Sequence, residues 1–206
     1  MAALLALPLP SRAASFDCAR ARSKLNRTIC SDAELARVDR IVWDTYGERL
    51  RTLAPLATLH VRERHLLWRR ARGLYEMTVE ALLHDYRSHL DWLNHPLLGA
   101  EGRYRRYGPV DSGARLEVEL DLREAGAAGL RGLVTLPAPV AWQAHVRGAA
   151  AADQALRLAP LSPGTGAPLA PDCGFEIRFT GDAAHLEASG ACGAAFGGRY
   201  VRILHD

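Results

Sequence analysis

Four cysteines stand as two local pairs, Cys18 with Cys30 and Cys173 with Cys192, one near each end of a 206-residue chain. A crosslink between sequence neighbours clips only the unit in which it sits, so the pairing predicts that each end organises its own structure. An even set of cysteines behind an apolar leader reads as structural disulfides made in an oxidising compartment. Residues Ala2 to Pro10 form a short apolar run, and Ala13, Ala14 and Ser15 supply small residues for cleavage. Residues 1–14 are therefore expected to be a signal peptide, truncated because a basic start is missing. The expected location is periplasmic or secreted, which excludes a cytosolic metabolic enzyme. No other apolar run approaches the roughly 20 residues of a membrane span.

Charge narrows the partners. Arginine supplies 25 of the 26 basic residues, and the formal net charge is only +3. Residues 15–95 carry 14 basic and 11 acidic groups; residues 96–206 carry 11 and 12. Neither half has the dense basic patch with interleaved aromatics that nucleic acid requires.

Composition divides the chain near residue 96. Upstream, residues 31–93 hold few glycines and one proline; downstream, Gly and Pro punctuate short runs. The expected class is α+β: a disulfide-clipped helical hairpin or bundle over 15–95, then a small antiparallel β-barrel or sandwich of about eight strands over 96–206. Ser31-Asp32-Ala33-Glu34 reads as a capping box in which Ser31 accepts from the Glu34 amide. Leu35, Val38, Val42, Tyr46, Leu50 and Leu53 then recur at helical spacing, and Pro55 interrupts the run. A second run, Leu59, Leu66, Leu67 and Leu74, reads as the apolar stripe of the next helix. Beyond Gly73 it extends towards Leu82, Leu83, Tyr86, Leu90 and Leu93. A bridge closing about 13 residues at the front contributes roughly 3 kcal/mol in the chain-entropy model.

Phe16-Asp17-Cys18, Ile29-Cys30, Glu34-Leu35-x-x-Val38-Asp39, Tyr46 and Arg64-x-Leu66-Leu67-x-x-Arg70 together resemble the LprI-like N-terminal domain of lysozyme inhibitors. The likeness continues to Leu82 and Tyr86 and covers residues 16–93. Gly73 and Ala81 stand where many members carry a further cysteine pair, and Leu66 stands where a tryptophan is common, with Trp68 close by. The resemblance implies an exported helical module. It implies structural roles for Asp17, Leu35, Asp39, Tyr46, Arg70 and Tyr86, and lysozyme inhibition as the family's label. Asp39 reads as a carboxylate that pairs with arginine or bonds the preceding loop; the alternative is a partner contact or metal ligand.

In the second half, Leu116, Val118, Leu120 and Leu122 alternate with Glu117, Glu119 and Asp121. Phe175, Ile177 and Phe179 alternate with Glu176 and Arg178. Val201 and Ile203 alternate with Arg202, which places the arginine outward. Tyr104–Tyr107, 129–136, 141–146 and a weak 156–158 complete the strand set, with loops at Pro137-x-Pro139 and Pro160–Pro171. A four-residue hairpin loop at 181–184 sets Thr180 against His185, and the same register sets Cys173 directly opposite Cys192. This half loosely resembles the small disulfide-clipped barrels of exported lysozyme inhibitors, with Gly102-Arg103-Tyr104 and Gly198-Arg199-Tyr200 on adjacent closing strands.

No Gly-x-Ser-x-Gly elbow, phosphate loop, dinucleotide fingerprint or HExxH occurs in the sequence. His60 and His65, like His84 and His89, are five apart, turned about 140° from each other on a helix, which is poor spacing for a shared metal. The chain is expected to be non-catalytic, with no cofactor and no metal. Its expected role is to bind a protein target, a lysozyme or another cell-wall hydrolase. The Glu117, Glu119, Asp121 stripe would attract a cationic rim. Arg103, Arg105 or Arg199, and also Arg106 or Arg202, would address the paired acids of such an enzyme's cleft. The alternatives are a periplasmic immunity or adaptor protein, and an envelope module associated with peptidoglycan.

Overall fold

The computed structural model describes residues 14–74, 77–107, 115–121, 128–135, 139–146, 156–161, 172–190 and 196–204. Leader residues 1–13, Leu122, Cys192 and most of the proline-rich stretch before Asp172 lie outside these residues. The class is α+β: four α-helices precede eight antiparallel strands among the described residues.

Helix α1 (Lys24–Ser31) starts at Ser23, whose hydroxyl accepts from the Asn26 amide at 3.0 Å. Helix α2 (Ala33–Thr52) follows after one residue. That residue, Asp32, is the N-cap: its carboxylate accepts from Leu35 N at 2.8 Å. The capping box expected at Ser31 is therefore displaced by one position. Ser31 still belongs to α1 and donates to Thr28 O, while Glu34 pairs with Arg87. Extended backbone at Asp32 ends one helix and opens the next, which puts Asp32 rather than Ser31 at the N-cap. The Cys18–Cys30 bridge, Cα to Cα 5.7 Å, ties a 3₁₀ turn (Cys18–Arg20) to α1.

Helix α3 (Pro55–Arg72) and helix α4 (Val79–Asn94) complete the bundle. Leu35, Val38 and Val42 of α2 pack into one core with Leu82, Tyr86 and Leu93 of α4. The sequence expectation for α3 is reversed. Its buried positions are Ala57, Val61, His65 and Arg72, while Leu59, Leu66, Leu67 and Leu74 are 41–75 % exposed. Both faces of α3 carry apolar residues, so periodicity alone picks the more hydrophobic one. The bundle instead takes the face whose aromatic and basic groups find partners inside.

Leu97, Leu98 and Ala100, in and beside a 3₁₀ turn (Leu98–Ala100), are buried between the bundle and the sheet. Secondary structure changes class over residues 95–101, yet the buried apolar residues form one cluster running from the bundle through to Tyr200.

The strands are β1 (Gly102–Arg106), β2 (Arg115–Asp121), β3 (Ala128–Thr135), β4 (Pro139–Val146), β5 (Leu156–Leu161), β6 (Gly174–Thr180), β7 (Ala183–Ser189) and β8 (Gly198–Ile203). Each pairs antiparallel with the next, and β1 also pairs with β8, so the strands form one curled antiparallel sheet. That continuous pairing excludes a sandwich of two separate sheets. Pairing is thinnest at β5, with three residue pairs to each neighbour, against seven or eight at β2–β3, β3–β4 and β6–β7. Pro139 opens β4 opposite Thr135 and Pro160 lies within β5, where loops were expected.

Leu116, Val118 and Leu120, and likewise Phe175, Ile177 and Phe179, face the interior. Two corrections apply. The β6–β7 loop is Gly181-Asp182, not four residues, because Gly181 adopts φ 58° and admits a tight turn. Thr180 therefore faces Ala183, and Gly174 faces Ser189. The register slips by two, which keeps every side chain on its face; Cys192, expected opposite Cys173, lies outside the described residues. Cys173 is nonetheless disulfide-bonded. In β8 the inward residues are Tyr200 and Arg202, not Val201 and Ile203.

Candidate functional site

The inward Arg202 accounts for that reversal. Its guanidinium donates to the backbone carbonyls of Gly99 and Glu101 and to Tyr104 Oη at 2.7 Å. It also lies over the Tyr104 ring at 4.7 Å, with Nε 3.3 Å from Asp182 Oδ1. Gly102 is the residue that admits it: a Cβ there would strike the guanidinium. A buried arginine is costly unless its donors find acceptors, and here the Nη groups find them at the junction carbonyls and at Tyr104 of β1, while Nε has only the nearby Asp182 charge. Burial, opposed by Arg202, pushes the Tyr104 phenol up to about 12.

Asp182 ties the sheet to the bundle. From the tip of the β6–β7 hairpin its carboxylate accepts from Leu56 N at 3.0 Å and Ala57 N at 2.9 Å. Those are the first free amides of α3, since Pro55 has no N–H and the N-cap, Ala54, has no side-chain oxygen. The second tie is Glu101, which is 2 % exposed. Its carboxylate accepts from Arg64 of α3 and from Trp92 Nε1 of α4 at 2.7 Å. His60 Nε2 lies 3.7 Å away, too far for a hydrogen bond. Burial, with Arg202 and Arg64 adding to it, lowers the His60 pKa to about 4, so His60 is neutral beside Glu101.

Over this junction opens a polar cleft whose walls are α3 on one side and β1, β2 and β8 on the other. His60 and Arg64 line the first wall, and Arg103, Glu117 and Glu119 the second. Arg103 and Glu117 are cross-strand neighbours, with Nε to Oε1 3.2 Å. Glu119 is exposed, in register with Arg131, and it opposes the lowering of the Arg64 pKa by burial. The acidic stripe is therefore interleaved with arginines. Asp121 closes β2 in register with Gly129, and its side chain lies outside the description. Arg105, exposed, is opposite Arg115 and Val201. Arg199, exposed, lies over the Tyr107 ring at 5.6 Å, beyond the cleft lining. The structure thus brings Arg103, Glu117 and Glu119 together and leaves Arg105 and Arg199 apart from them. β1 and β8, which carry the two Gly-Arg-Tyr motifs, are paired.

The motif residues of the helical half lie in its interior or at its front. Asp17 caps the 3₁₀ turn by accepting from Ala19 N, and Leu35 is fully buried. Asp39, 3 % exposed, accepts from Ser15 N and from Tyr86 Oη, both at 2.8 Å. Burial raises the Tyr86 pKa. Tyr46 stacks on His65 at 3.9 Å, while Arg70 is exposed on the outer face of α3. Arg72 lies over Trp68 at 3.4 Å, and Trp68 occupies the inner side of α3 where Leu66 faces solvent.

His65 and His89, which same-helix spacing kept separate, meet across α3 and α4, Nδ1 to Nε2 2.9 Å. Trp68 stacks on His89 at 3.7 Å. Burial lowers both pKa values, His65 to about 4 with Arg69 and Arg72 adding, and His89 to about 3 with His65, Arg72 and Arg64 adding. Two neutral imidazoles share one hydrogen bond here. No group of three or more His, Cys, Asp or Glu side chains poised for a metal occurs among the described residues.

Sequence reasoning missed Glu101, Asp182 and the inward Arg202. One signal was available: Asp182 follows a turn glycine, and the helix at Pro55 has an alanine where a capping side chain belongs. Compared with known proteins, the chain matches no family model, no curated protein and no solved structure.

Proposed function

We propose that this chain is an exported, non-catalytic protein-binding module that inhibits a lysozyme or another enzyme that degrades peptidoglycan. The observation that carries the reading is the cleft between α3 and strands β1 and β2, where Glu117 and Glu119 stand beside Arg103 and Arg64. Acids at the rim draw a cationic enzyme, and the interleaved arginines address carboxylates inside its cleft. Disulfides at both ends fit an oxidising compartment, periplasmic or secreted. On this reading residues 15–95 are an LprI-like helical domain. Residues 96–206 are the β-domain, which shares its core with the helices; its eight paired strands close as a barrel that presents β1 and β2 to the target. Asp39, Glu101 and Arg202, all buried, and the half-buried Asp182 each hold structural partners, which fits a binding role.

The test is association kinetics between the oxidised protein and a panel of cationic lysozymes. Changing Glu117, Glu119 and Asp121 to Lys should slow association at least tenfold at low salt, with the difference shrinking at high salt. Reversal at position 117 also opposes Arg103, a surface pair worth about 0.2–1 kcal/mol, so the fold should persist. Unchanged rates with an intact fold would remove the acidic stripe from the mechanism. Retention on purified peptidoglycan, with no binding to any lysozyme, would replace the inhibitor reading by an envelope-associated module.

A further inference from the structure

Arg72, the last residue of α3, is a buried cation with two donors that the fold leaves unsatisfied. Its side chain is 7 % exposed, yet Nε and Nη1 have no hydrogen-bond acceptor among the described residues. The guanidinium lies over the Trp68 ring at 3.4 Å and the Tyr86 ring at 4.3 Å, contacts that hold it in place without accepting from those two nitrogens. Asp85 Oδ2 is 3.9 Å from Nε, beyond hydrogen-bond reach, and already accepts from Trp68 Nε1 at 2.9 Å. Buried donors left this way carry their full desolvation cost, which an acceptor from outside the chain would relieve.

The same side chain lines a pocket of about 320 Å³ between α1, the end of α3 and the first turn of α4. Leu25, Met77 and Leu82 give this pocket an apolar wall, and Leu74, 75 % exposed, adds another apolar side chain to its lining. Lys24, exposed, is its second cation, and no Asp or Glu is among the described residues that line it. Arg72 and Leu25 also line a neighbouring pocket of about 330 Å³, but there the Asp39 carboxylate shares the lining with Arg69 and opposes an anion. Positive charge, missing acceptors and apolar surface therefore coincide in the first pocket alone of the two. We propose that it binds a small amphiphilic carboxylate, an aliphatic or aromatic acid whose head reaches the Arg72 guanidinium while its body lies along Leu25, Met77 and Leu82.

Size and charge narrow the class. The volume stands at the low end of small-molecule sites, roughly 300–1,000 Å³, so the body is a short chain or a single ring. One negative charge matches one buried guanidinium, whereas a phosphate dianion would bring a second charge into the pocket at a larger desolvation cost. The pocket shares no lining residue with the cleft between α3 and the sheet, so this site stands independently of the proposed inhibitory contact.

Titration calorimetry of the disulfide-intact chain with octanoate tests the site. A single saturable site with Kd of about 10 µM to 1 mM is expected, the range for a ligand of about ten non-hydrogen atoms. Octanol, which lacks the charge, and inorganic phosphate, which lacks the apolar body, should each bind at least tenfold more weakly. Arg72→Met keeps an apolar stem and should weaken octanoate at least tenfold, with circular dichroism and melting to establish that the variant folds. The exposed Leu74 gives a second readout that leaves the interior alone: Leu74→Glu should weaken octanoate at least threefold, whereas Leu74→Lys should hold or strengthen it. Absence of saturable octanoate binding up to about 10 mM overturns the proposal and leaves water as the acceptor for Arg72. Octanol or phosphate binding as tightly as octanoate overturns it too, as does a folded Arg72→Met variant with unchanged affinity. If Arg72→Met does not fold, equal affinities of the two Leu74 variants overturn it instead.

Discussion

Removing the Asp182 carboxylate tests whether the hairpin tip is what fastens the sheet to the bundle. In the native protein that carboxylate accepts from Leu56 N and Ala57 N and lies 3.3 Å from Arg202 Nε. Asp182→Ala therefore deletes a helix cap, worth about 0.5–2 kcal/mol, from a helix whose own N-cap, Ala54, cannot replace it. It also removes the opposite charge 3.3 Å from a guanidinium that is 1 % exposed and whose Nε makes no hydrogen bond, at a cost of about 1–3 kcal/mol. Arg202 keeps the carbonyls of Gly99 and Glu101 and the Tyr104 hydroxyl, so the loss stays below the 3–5 kcal/mol typical of breaking an isolated buried pair. The expected total is about 2–4 kcal/mol. Asp182→Asn keeps an amide oxygen for the cap but loses the charge opposite Arg202, and should lose about half as much.

The assay is urea unfolding at neutral pH with disulfides intact, comparing midpoints at constant slope. Glu187→Ala, on the exposed face of β7, is the control and should stay within about 0.5 kcal/mol of wild type. If Asp182→Ala also stays within about 0.5 kcal/mol, solvent replaces both functions of the carboxylate and the junction is not a fastening.

Two further outcomes follow from the helical half. The folded pKa values of His65 and His89, about 4 and about 3, lie below the ordinary 6.5, so the unfolded chain takes up protons first as pH falls. Stability should therefore be full above about pH 6.5 and decline between pH 6.5 and about 4, by up to ~1.4 kcal/mol per pH unit for each histidine. A urea-midpoint profile measures this; His65→Gln with His89→Gln should reduce that slope, leaving the share of His60, and an unchanged slope would remove the pair as a source. Replacing Cys18 and Cys30 together by Ser opens a loop closed across a separation of 12 residues and should cost about 3 kcal/mol. A urea-midpoint change equivalent to less than about 1 kcal/mol would mean that the 3₁₀ turn is held by Asp17 and the Ser15–Asp39 bond instead.

What was legible in the sequence was what local rules encode. Pro55 and Gly73 mark the two helix breaks, and Leu116, Val118 and Leu120 point inward because strand alternation leaves them no other face. What was not legible depended on partners far along the chain. Arg202 reads as a surface residue until its acceptors, about 100 positions away at Gly99, Glu101 and Tyr104, come into view. His65 and His89 reach each other only across α3 and α4. The leucines of α3 were assigned inward because hydrophobicity ranks them above a stripe of His, Trp and Arg. Packing reverses the ranking, since His65 and Trp68 bury stacked rings and Arg72 covers Trp68. Glu117 and Glu119 alternate with the inward leucines of β2 as strand periodicity requires, but their neighbour Arg103 is set by β1–β2 register, which loop length does not reveal.

The ionic groups of the junction bear on binding through orientation rather than through strength. Buried pairs contribute little net stability against well-packed apolar replacements. They do, however, admit few alternative geometries, because any shift that unpairs Glu101 or Arg202 leaves a buried charge without its partner. The cleft inherits this. Arg64 lines one wall while its guanidinium is bound to Glu101, the residue just before β1, and Arg103 and Glu117 line the other wall on β1 and β2. Both walls are thus referred to the same buried carboxylate and cannot drift independently. A surface meant to enter or cap a partner's cleft gains affinity when little of its geometry has to be ordered on contact. That places the constraint on function at Glu101 and Asp182, which need never touch a target, as much as at the exposed Arg103, Glu117 and Glu119, which would.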